Sequence, residues 1–349
     1  MIKTTVVGSY PIPLWLNGNP SRAALRDAVM VVLKTQELAG LDVIASGELE
    51  RFDPSHPETN GMIDYFVSRM SGVETRYSIS DLAAFRADAG MGFRKAPAGI
   101  VRGEPGEGSL NLPGDFEFAS ALTRSPLKFT CTGPHMLAKT LVDRHYRDPG
   151  RLSMALAAVL RNQLAAVCST ATPPAVIQLD EANISGHPED QTWAVEAINH
   201  VLDGIAVERA VHICFGNYGG QSVQKGFWRN LLPFLNGLHA GHAVLEFARR
   251  GYEELAAFRD LDPKIGLGLG VVDIKDNEIE APDLIAARIE QAFEVLGEGR
   301  VKWVHPDCGF WMLPRNVADG KMRALVEGRN LFYGRGIHNL FTAGPARAI

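Results

Sequence analysis

The chain has 349 residues, of which 46% are hydrophobic and 21% charged, so it is long enough for two domains or one large α/β barrel. A net charge of −5 without a basic stretch argues against a nucleic-acid partner, and no apolar run reaches the roughly 18 residues of a membrane span. With no signal peptide and only four cysteines, we expect a cytosolic protein with reduced thiols.

Short apolar runs recur along the whole chain, and most are followed by a helical pattern. The predicted strands are Thr4–Tyr10, Asp42–Ser46, Leu127–Thr132, Ala175–Leu179, Ala210–Phe215, Ala243–Phe247, Lys264–Leu269 and Val301–Val304. The predicted helices are Ser21–Ala39, Tyr65–Met70, Pro149–Ser169, Thr192–Asp203, Phe227–Leu235, Tyr252–Phe258, Asp283–Leu296 and Val317–Asn330. Ser21 suits the N-cap of the first of these helices, and Gly40 follows its end.

Eight near-continuous apolar strands alternating with helices predict a (β/α)8 TIM barrel. The alternative is an open, doubly wound sheet. The barrel is favoured because polar residues follow seven of the strands, and in a barrel all strand carboxyl ends surround one mouth. We therefore expect one barrel over residues 1–349, with an inserted excursion at about 53–126 lying over it. A dinucleotide-binding loop at Gly266–Val271 is disfavoured, since Val271 stands where its third glycine belongs.

Four residues at the ends of predicted strands have the side chains that zinc binds. His212 and Cys214 are two positions apart on one strand, so their side chains share a face. Glu246 lies inside an apolar run, where an unpaired carboxylate is costly and needs a partner. Cys308 ends the turn after the last strand. We expect these four residues to bind one zinc ion, although the first pair alone fits a buried core histidine beside a buried cysteine equally well.

Other polar residues that follow strands are candidates for the rest of the site. Glu48 and Asp180 are expected to bind an ammonium group, the alternative being a salt bridge or a helix N-cap. Ser9 suits either a substrate carboxylate or the cap of its own turn. Asp273 is a candidate acid, or a residue that orients a metal ligand, and the alternative is a turn residue at the end of a strand. His305 is a candidate to stabilise the mouth of the barrel or to hold a metal ligand in place without binding the metal.

Several short segments occur in the order found in one enzyme family. They are Thr5-Val-Val-Gly-Ser-Tyr-Pro11, Gly47-Glu-Leu-Glu-Arg51, Thr132-Gly-Pro134, Gln178-Leu-Asp-Glu181, His212-Ile-Cys214, Leu245-Glu-Phe247, Gly270-Val-Val-Asp273 and Pro306-Asp-Cys-Gly309. In this order they resemble the catalytic domain of cobalamin-independent methionine synthase, in a short single-barrel form. The resemblance covers nearly the whole chain.

The resemblance implies a barrel of the methionine synthase and uroporphyrinogen decarboxylase type. It also implies that the predicted zinc ligands bind the metal, which in turn binds the thiolate of homocysteine. The residues matching those that hold the amino-acid part of homocysteine are Ser9, Glu48 and Asp180. The resemblance also implies an acid for a folate leaving group, a histidine between the sixth and eighth strands, without pointing to one residue of this chain.

Three departures from the family leave the methyl donor open. We expect no counterpart of the family's second, N-terminal barrel that helps to bind folate, the usual Asp-Glu-Pro reads Asp180-Glu181-Ala182, and the 53–126 segment is long. Methyltetrahydrofolate and a methylcorrinoid are both candidate donors. The expected partners are therefore a small thiol and a methyl or alkyl donor, with neither nucleic acid nor membrane, and a homo-oligomer is compatible with the sequence.

The predicted function is that of a zinc-dependent methyltransferase that converts homocysteine to methionine. An alternative is a zinc-dependent alkyltransferase acting on another thiol, like the epoxyalkane–coenzyme M transferases. Arg51 keeps that alternative open, since a sulfonate thiol would need a cation where Glu48 and Asp180 are expected. A third hypothesis is a non-catalytic methyl carrier or zinc-storage protein, which would fill every ligand position with protein side chains.

Overall fold

The computed structural model describes residues 1–53, 59–87, 94–216 and 225–334. Its strands β1 to β10 are Lys3–Thr4, Ser71–Glu74, Gly99–Gly106, Lys128–Thr132, Leu141–Asp143, Val176–Asp180, Glu208–Ile213, His242–Leu245, Gly266–Val272 and Val301–Pro306. Its helices α1 to α11 are Leu14–Gly18, Arg22–Ala39, Asp64–Val67, Ile79–Arg86, Leu112–Ser120, Pro134–Lys139, Pro149–Cys168, Gln191–Leu202, Leu232–Asn236, Pro282–Leu296 and Arg315–Phe332. Short 3-10 helices cover Leu49–Arg51, Ile184–Gly186, Pro188–Asp190, Trp228–Asn230 and Leu255–Asp260.

The main sheet closes into a barrel. Seven parallel strands follow the order β1-β10-β9-β8-β7-β6-β4. The segment between β1 and β4 completes the ring, because Val43 pairs with Thr5 on one side and Ile44 pairs with Leu127 on the other, both in parallel. The eight segments around the ring confirm the predicted (β/α)8 fold.

The first two barrel strands are shorter than predicted, because side chains take hydrogen bonds that a strand ladder would use. β1 ends at Thr4 rather than Tyr10, since the carbonyls of Val6 and Val7 accept from the side chains of Lys128 and Gln178, at 2.8 and 2.9 Å. The predicted strand Asp42–Ser46 is reduced to its two bridges. There the main chain of Ala45 is bound on both sides by the side-chain amide of Gln36, at 2.7 and 2.9 Å.

Helix α2 begins and ends where its sequence predicts. The Ser21 hydroxyl accepts the N–H of Ala24, and Gly40 at the other end adopts the left-handed conformation with φ of 82°. Three other predicted helices need correction. The helix expected at Tyr65–Met70 is the four-residue α3, and the one expected at Tyr252–Phe258 is the 3-10 helix Leu255–Asp260. The helix expected at Phe227–Leu235 is the 3-10 helix Trp228–Asn230 followed by α9.

The described part of the segment between about 53 and 126 contains α3, β2, α4, β3 and α5. β2 and β3 pair antiparallel, and β3 also pairs in parallel with β5, which follows β4 and α6 in the chain. Asp81 on α4 binds Arg144 at 2.9 Å and Arg102 at 3.4 Å. The small sheet thus joins this segment to the connection between β4 and α7.

Inward-facing residues of the barrel leave space for buried polar groups. A cluster of buried apolar side chains comes from four of the strands and from the two segments that complete the ring, namely Val7, Val43, Val176, Ala210, Val244 and Trp303. Glycines of β9 face two polar side chains, one on β10 and one just after it: a Cβ on Gly268 would lie 3.0 Å from His305 Nε2, and one on Gly270 would lie 2.2 Å from Asp307 Oδ1. The glycine-rich run is therefore a barrel strand and not a nucleotide-binding turn.

Within the described part of the chain, no helix combines the length and the apolar character needed to span a membrane.

We expect Gly270→Ala to destabilise the protein by about 1–3 kcal/mol, because the added methyl would meet immobile backbone. Its Cβ would lie 2.8 Å from the Leu245 carbonyl and 3.0 Å from the Phe247 nitrogen. Urea unfolding measures the effect. Gly18→Ala is the control, since nothing lies within 4 Å of a Cβ there. Equal unfolding free energies for the two variants would contradict this account.

Candidate metal centre

Three of the four predicted zinc ligands converge at the carboxyl end of the barrel. His212 and Cys214 lie at the end of β7 and are buried, and Cys308 follows β10 and is half-buried. Their ligand atoms, one imidazole nitrogen and two sulfurs, all lie within 4.8 Å of one another. The two strands that carry them are separated in the sheet by β8 and β9, so barrel curvature is what brings Cys308 to the other two.

The His212 ring is oriented as a metal ligand requires. Its Nδ1 donates a hydrogen bond to the carbonyl of Val244 at 2.9 Å, on the neighbouring strand β8. Its Nε2 is buried and has no hydrogen-bond partner among the residues that the structure describes. A histidine held through one nitrogen with the other left bare is the usual arrangement at zinc sites. Together with two sulfurs, this donor set fits zinc.

The cluster holds protons that a metal would displace. A hydrogen bond with Cys308, together with burial, raises the pKa of the Cys214 thiol well above its usual value. Burial lowers the pKa of His212, but Cys214 and Asp180 outweigh it and raise that pKa to about 9. In the metal-free protein both groups are therefore protonated at neutral pH.

Glu246, the fourth predicted ligand, is fully buried at the end of β8 but is not a member of the three-residue cluster. Its Oε2 lies 3.3 Å from the Nζ of Lys275, whose side chain is 1% exposed. Its Oε1 has no hydrogen-bond partner among the described residues. Our sequence reasoning missed Lys275; its one sequence signal was a cation just after a barrel strand.

Asp307 fixes the turn that follows Glu246. Its carboxylate accepts the backbone N–H groups of Phe247, Ala248 and Arg249 at 2.7–2.9 Å. Burial, with the nearby Glu246 carboxylate adding to it, raises the pKa of Asp307 to about 7. In the sequence this residue is visible only as part of the turn that ends at Cys308. Its contact with a strand some 60 residues away could not be seen without the fold.

Glu48 is held close to the barrel backbone. It adopts a left-handed conformation with φ of 60°. Its Oε1 accepts from the Thr130 hydroxyl at 2.6 Å and would overlap a Cβ placed on Gly8. The guanidinium of Arg51 lies 3.6 Å from the same oxygen.

Asp180 lies near Glu48 and at the end of β6. Its Oδ1 accepts from the side-chain amide of Gln178 at 2.7 Å. Burial raises the pKa of Asp180 to about 7, and the Glu48 carboxylate adds to this rise while His212 opposes it. Two neighbouring carboxylates of this kind favour a cation between them.

Ser9 lies beside the turn that carries Cys308. Its carbonyl accepts the N–H of Phe310 at 2.8 Å, and its Oγ lies 2.0 Å from where a Cβ on Gly309 would be. The predicted substrate residues Ser9, Glu48 and Asp180 therefore all lie near strand ends at the mouth that holds the metal cluster.

Arg51 is directed toward protein groups. It is buried, its guanidinium lies over the rings of Phe66 and Phe129 at 5.2 and 5.7 Å, and it donates to the carbonyl of Thr130. The carboxylates of Glu48 and Glu50 lie 3.6 and 3.9 Å away. Its charge is thus already faced by two acids.

Asp273 and His305 are placed near the site but not in the cluster. Asp273 accepts the N–H of Lys275 at 2.8 Å and pairs with Arg249 at 3.2 Å, which matches the alternative of a strand-end turn residue. His305 is fully buried inside the barrel with its Nδ1 2.7 Å from the carbonyl of Pro306. Burial lowers the pKa of His305 to about 3, so its ring is neutral at physiological pH.

A second group of potential ligands follows β6, where atoms of His187, Glu189 and Asp190 also lie within 4.8 Å of one another. Both carboxylates of this group have partners. Glu189 binds His187 at 3.0 Å, and Asp190 binds His135 at 3.1 Å and Lys139 at 3.3 Å. The group lacks the sulfur ligands of the first cluster.

Comparison with known proteins now identifies the family. Residues 2–329 match the model of the family described as "Cobalamin-independent synthase, Catalytic domain". The chain belongs to this family. Membership in the cobalamin-independent methionine synthase family confirms the resemblance drawn from the sequence and makes the chain an enzyme of the methyltransferase class.

Individual members of the family match along nearly their whole length. The methionine synthase of Sulfurisphaera tokodaii is 28% identical over 344 residues, which cover 95% of this chain and 92% of that protein. A B12-independent methionine synthase from Shewanella sp. W3-18-1, solved in complex with selenomethionine, superposes with a TM-score of 0.80 at 22% identity, over 96% of this chain and 98% of that one. A putative vitamin-B12 independent methionine synthase from Listeria monocytogenes gives 0.69 at 20% identity, over 93% and 96%. The two solved structures support the barrel fold.

We expect Cys214→Ser and Cys308→Ser each to weaken zinc binding by at least about 100-fold, because each removes a sulfur ligand from the cluster. Competition against a chromophoric chelator measures the affinity. Cys168→Ser is the matched control, since this half-buried thiol lies at the end of α7, outside the cluster. Wild-type affinity in either of the first two variants would rule out the cluster as the binding site.

Zinc binding at pH 7 should release at least two protons per chain, one from His212 Nε2 and one from Cys214 Sγ. Because protons leave, affinity should rise with pH between about 6 and 9. Calorimetric titration in buffers of different ionisation enthalpy counts the protons. Cys214→Ser should release one fewer, and a wild-type binding reaction that releases none would contradict the assignment.

Proposed function

We propose that this protein transfers a methyl group to the thiol of homocysteine, giving methionine, with zinc as its metal. The observation that carries the proposal is the convergence of His212, Cys214 and Cys308 beside the carboxylates of Glu48 and Asp180. A sulfur-binding centre next to an ammonium-binding pair matches the two ends of an amino-acid thiol. The curated relatives named methionine synthase point the same way.

In this proposal His212, Cys214, Cys308 and Glu246 hold the metal. Zinc, when bound, supplies the positive charge that keeps the substrate sulfur as a nucleophilic thiolate near neutral pH. Two thiolates and a carboxylate leave the protein part of the centre electron-rich. Glu246 lies outside the tight cluster, and Lys275 beside it gives its carboxylate a counter-charge when it is not bound to metal.

Glu48 and Asp180 would bind the ammonium group of homocysteine, and Ser9 its carboxylate. The carboxylates of Glu48 and Asp180 are buried or nearly so, and a substrate ammonium would offset the cost of their mutual repulsion. We give Asp273 and His305 supporting roles. Asp273 holds the turn that carries Lys275, and His305, neutral and buried, fills the barrel beneath the site.

A folate and a corrinoid are the two candidate methyl donors. The sequence contains no histidine between His242 and His305, so the histidine acid that the resemblance implies for a folate leaving group has no counterpart in that stretch. The relative from Shewanella was solved with selenomethionine, an analogue of the proposed product.

All four cysteines are free thiols, which fits the reducing cytoplasm that we propose as the location.

The two other hypotheses fit the geometry less well. A sulfonate thiol such as coenzyme M would need a free cation, whereas Arg51 faces Glu48 and Glu50. A zinc-storage role would need a closed set of protein ligands, whereas the cluster brings together three residues beside two carboxylates that a storage site does not require.

Zinc-loaded protein incubated with homocysteine and either methyltetrahydrofolate or methylcobalamin should form methionine, detected by mass spectrometry. Coenzyme M in place of homocysteine should give no methylated thiol. Removal of zinc with a chelator should abolish the reaction, and added zinc should restore it. Equal methylation of both thiols, or full activity in metal-free protein, would overturn the proposal.

A further inference from the structure

Two polar residues inside the barrel each hold one of the mouth carboxylates. Thr130 on β4 donates to Glu48, and Gln178 on β6 donates to Asp180, at 2.6 and 2.7 Å. Thr130 and Gln178 are direct partners in the register of the two strands. Gln178 and Asp180 are two positions apart, so their side chains lie on the same inward face.

The amide of Gln178 has one permitted orientation. Its Nε2 donates to Asp180 Oδ1 at 2.7 Å and to the carbonyl of Val7 at 2.9 Å. Its Oε1 accepts from the Nζ of Lys128 at 2.8 Å, and the same Nζ lies 2.8 Å from the carbonyl of Val6. If the amide were turned over, its oxygen would face a carboxylate and a carbonyl, and its NH2 would face a lysine that already donates.

Lys128 is therefore the residue that sets the direction of the amide. It is buried inside the barrel, where a lysine is expected only when its nitrogen is bound by acceptors. Its Nζ donates to the Val6 carbonyl and to Gln178 Oε1, and both of these acceptors lie on other segments than its own. The chain of contacts runs from Lys128 through Gln178 to one oxygen of Asp180.

We propose that Lys128 and Gln178 are positioning residues that make the site select thiols carrying an amino group. With Oδ1 of Asp180 fixed by the Gln178 amide, the other carboxylate oxygen is presented to the substrate ammonium. This inference rests on the proposed function, because it assigns Asp180 to the amino group of homocysteine. It adds that selectivity depends on a hydrogen bond made inside the barrel, by residues that do not touch the substrate.

The test compares two thiols that differ only in the amino group, homocysteine and 4-mercaptobutanoate. Their dissociation constants for zinc-loaded protein are measured by calorimetry, which needs no methyl donor. Gln178→Leu keeps a side chain of similar size but removes the donor to Asp180. We expect homocysteine to bind about 10- to 100-fold more weakly to this variant, as for loss of a hydrogen bond to a charged group, with the affinity for 4-mercaptobutanoate unchanged.

Gln163→Leu is the matched control. This glutamine is also buried and also bound on both sides, its Oε1 accepting the N–H of Leu112 at 2.9 Å and its Nε2 donating to Glu107, but it lies on α7 outside the barrel. It should leave the ratio of the two dissociation constants at the wild-type value. A general loss of rigidity would weaken the binding of both thiols in either variant, so the ratio of their dissociation constants would not change.

A folded, zinc-loaded Gln178→Leu protein that keeps the wild-type ratio would overturn the inference. If that variant does not fold, Gln178→Met takes its place, since this unbranched side chain of similar length has no N–H for Asp180 and adds no charge; an unchanged ratio there overturns the inference equally. Wild-type protein that binds both thiols with the same affinity would instead show that the proposed recognition of homocysteine fails. The two failures are therefore distinguishable.

Discussion

Carboxylates buried at the carboxyl ends of the barrel strands are the constraint on which the rest of this structure depends. An ionised carboxylate away from water is tolerated only when hydrogen bonds or opposite charges surround it. Three glycines provide the space, since a Cβ on Gly8, Gly133 or Gly270 would overlap a carboxylate, in each case at 2.1–2.2 Å. The carboxylates concerned are Glu48, Glu181 and Asp307. The backbone at the mouth is thus shaped around acids before any ligand binds.

The same constraint explains why the barrel is irregular on one side. Val6 and Val7 give their carbonyls to Lys128 and Gln178, and β1 is only two residues long as a result. Regular pairing is exchanged for contacts that hold an ammonium and an amide inside the barrel. Gln178 in turn donates to Asp180. The carbonyls that leave β1 short therefore help to fix the position of the Asp180 carboxylate at the mouth.

The sequence predicted those features that local pattern determines. The pairing of His212 with Cys214 followed from strand alternation, and the ends of α2 from Ser21 and Gly40. Strand lengths at β1, and the roles of Lys275 and Asp307, were not predictable in this way. Each depends on a partner that is distant in sequence, such as Glu246 for Lys275, and a single chain without its fold does not show which distant residues meet.

Glu48 carries a consequence for anyone who would engineer this protein. Its left-handed backbone, with φ of 60°, costs a non-glycine residue about 1–2 kcal/mol relative to glycine. Directed evolution that rewards heat resistance alone would therefore favour glycine at this position and discard a carboxylate from the mouth. Libraries built for robustness should keep this codon fixed, because the least strained backbone at this position belongs to a protein without the Glu48 carboxylate.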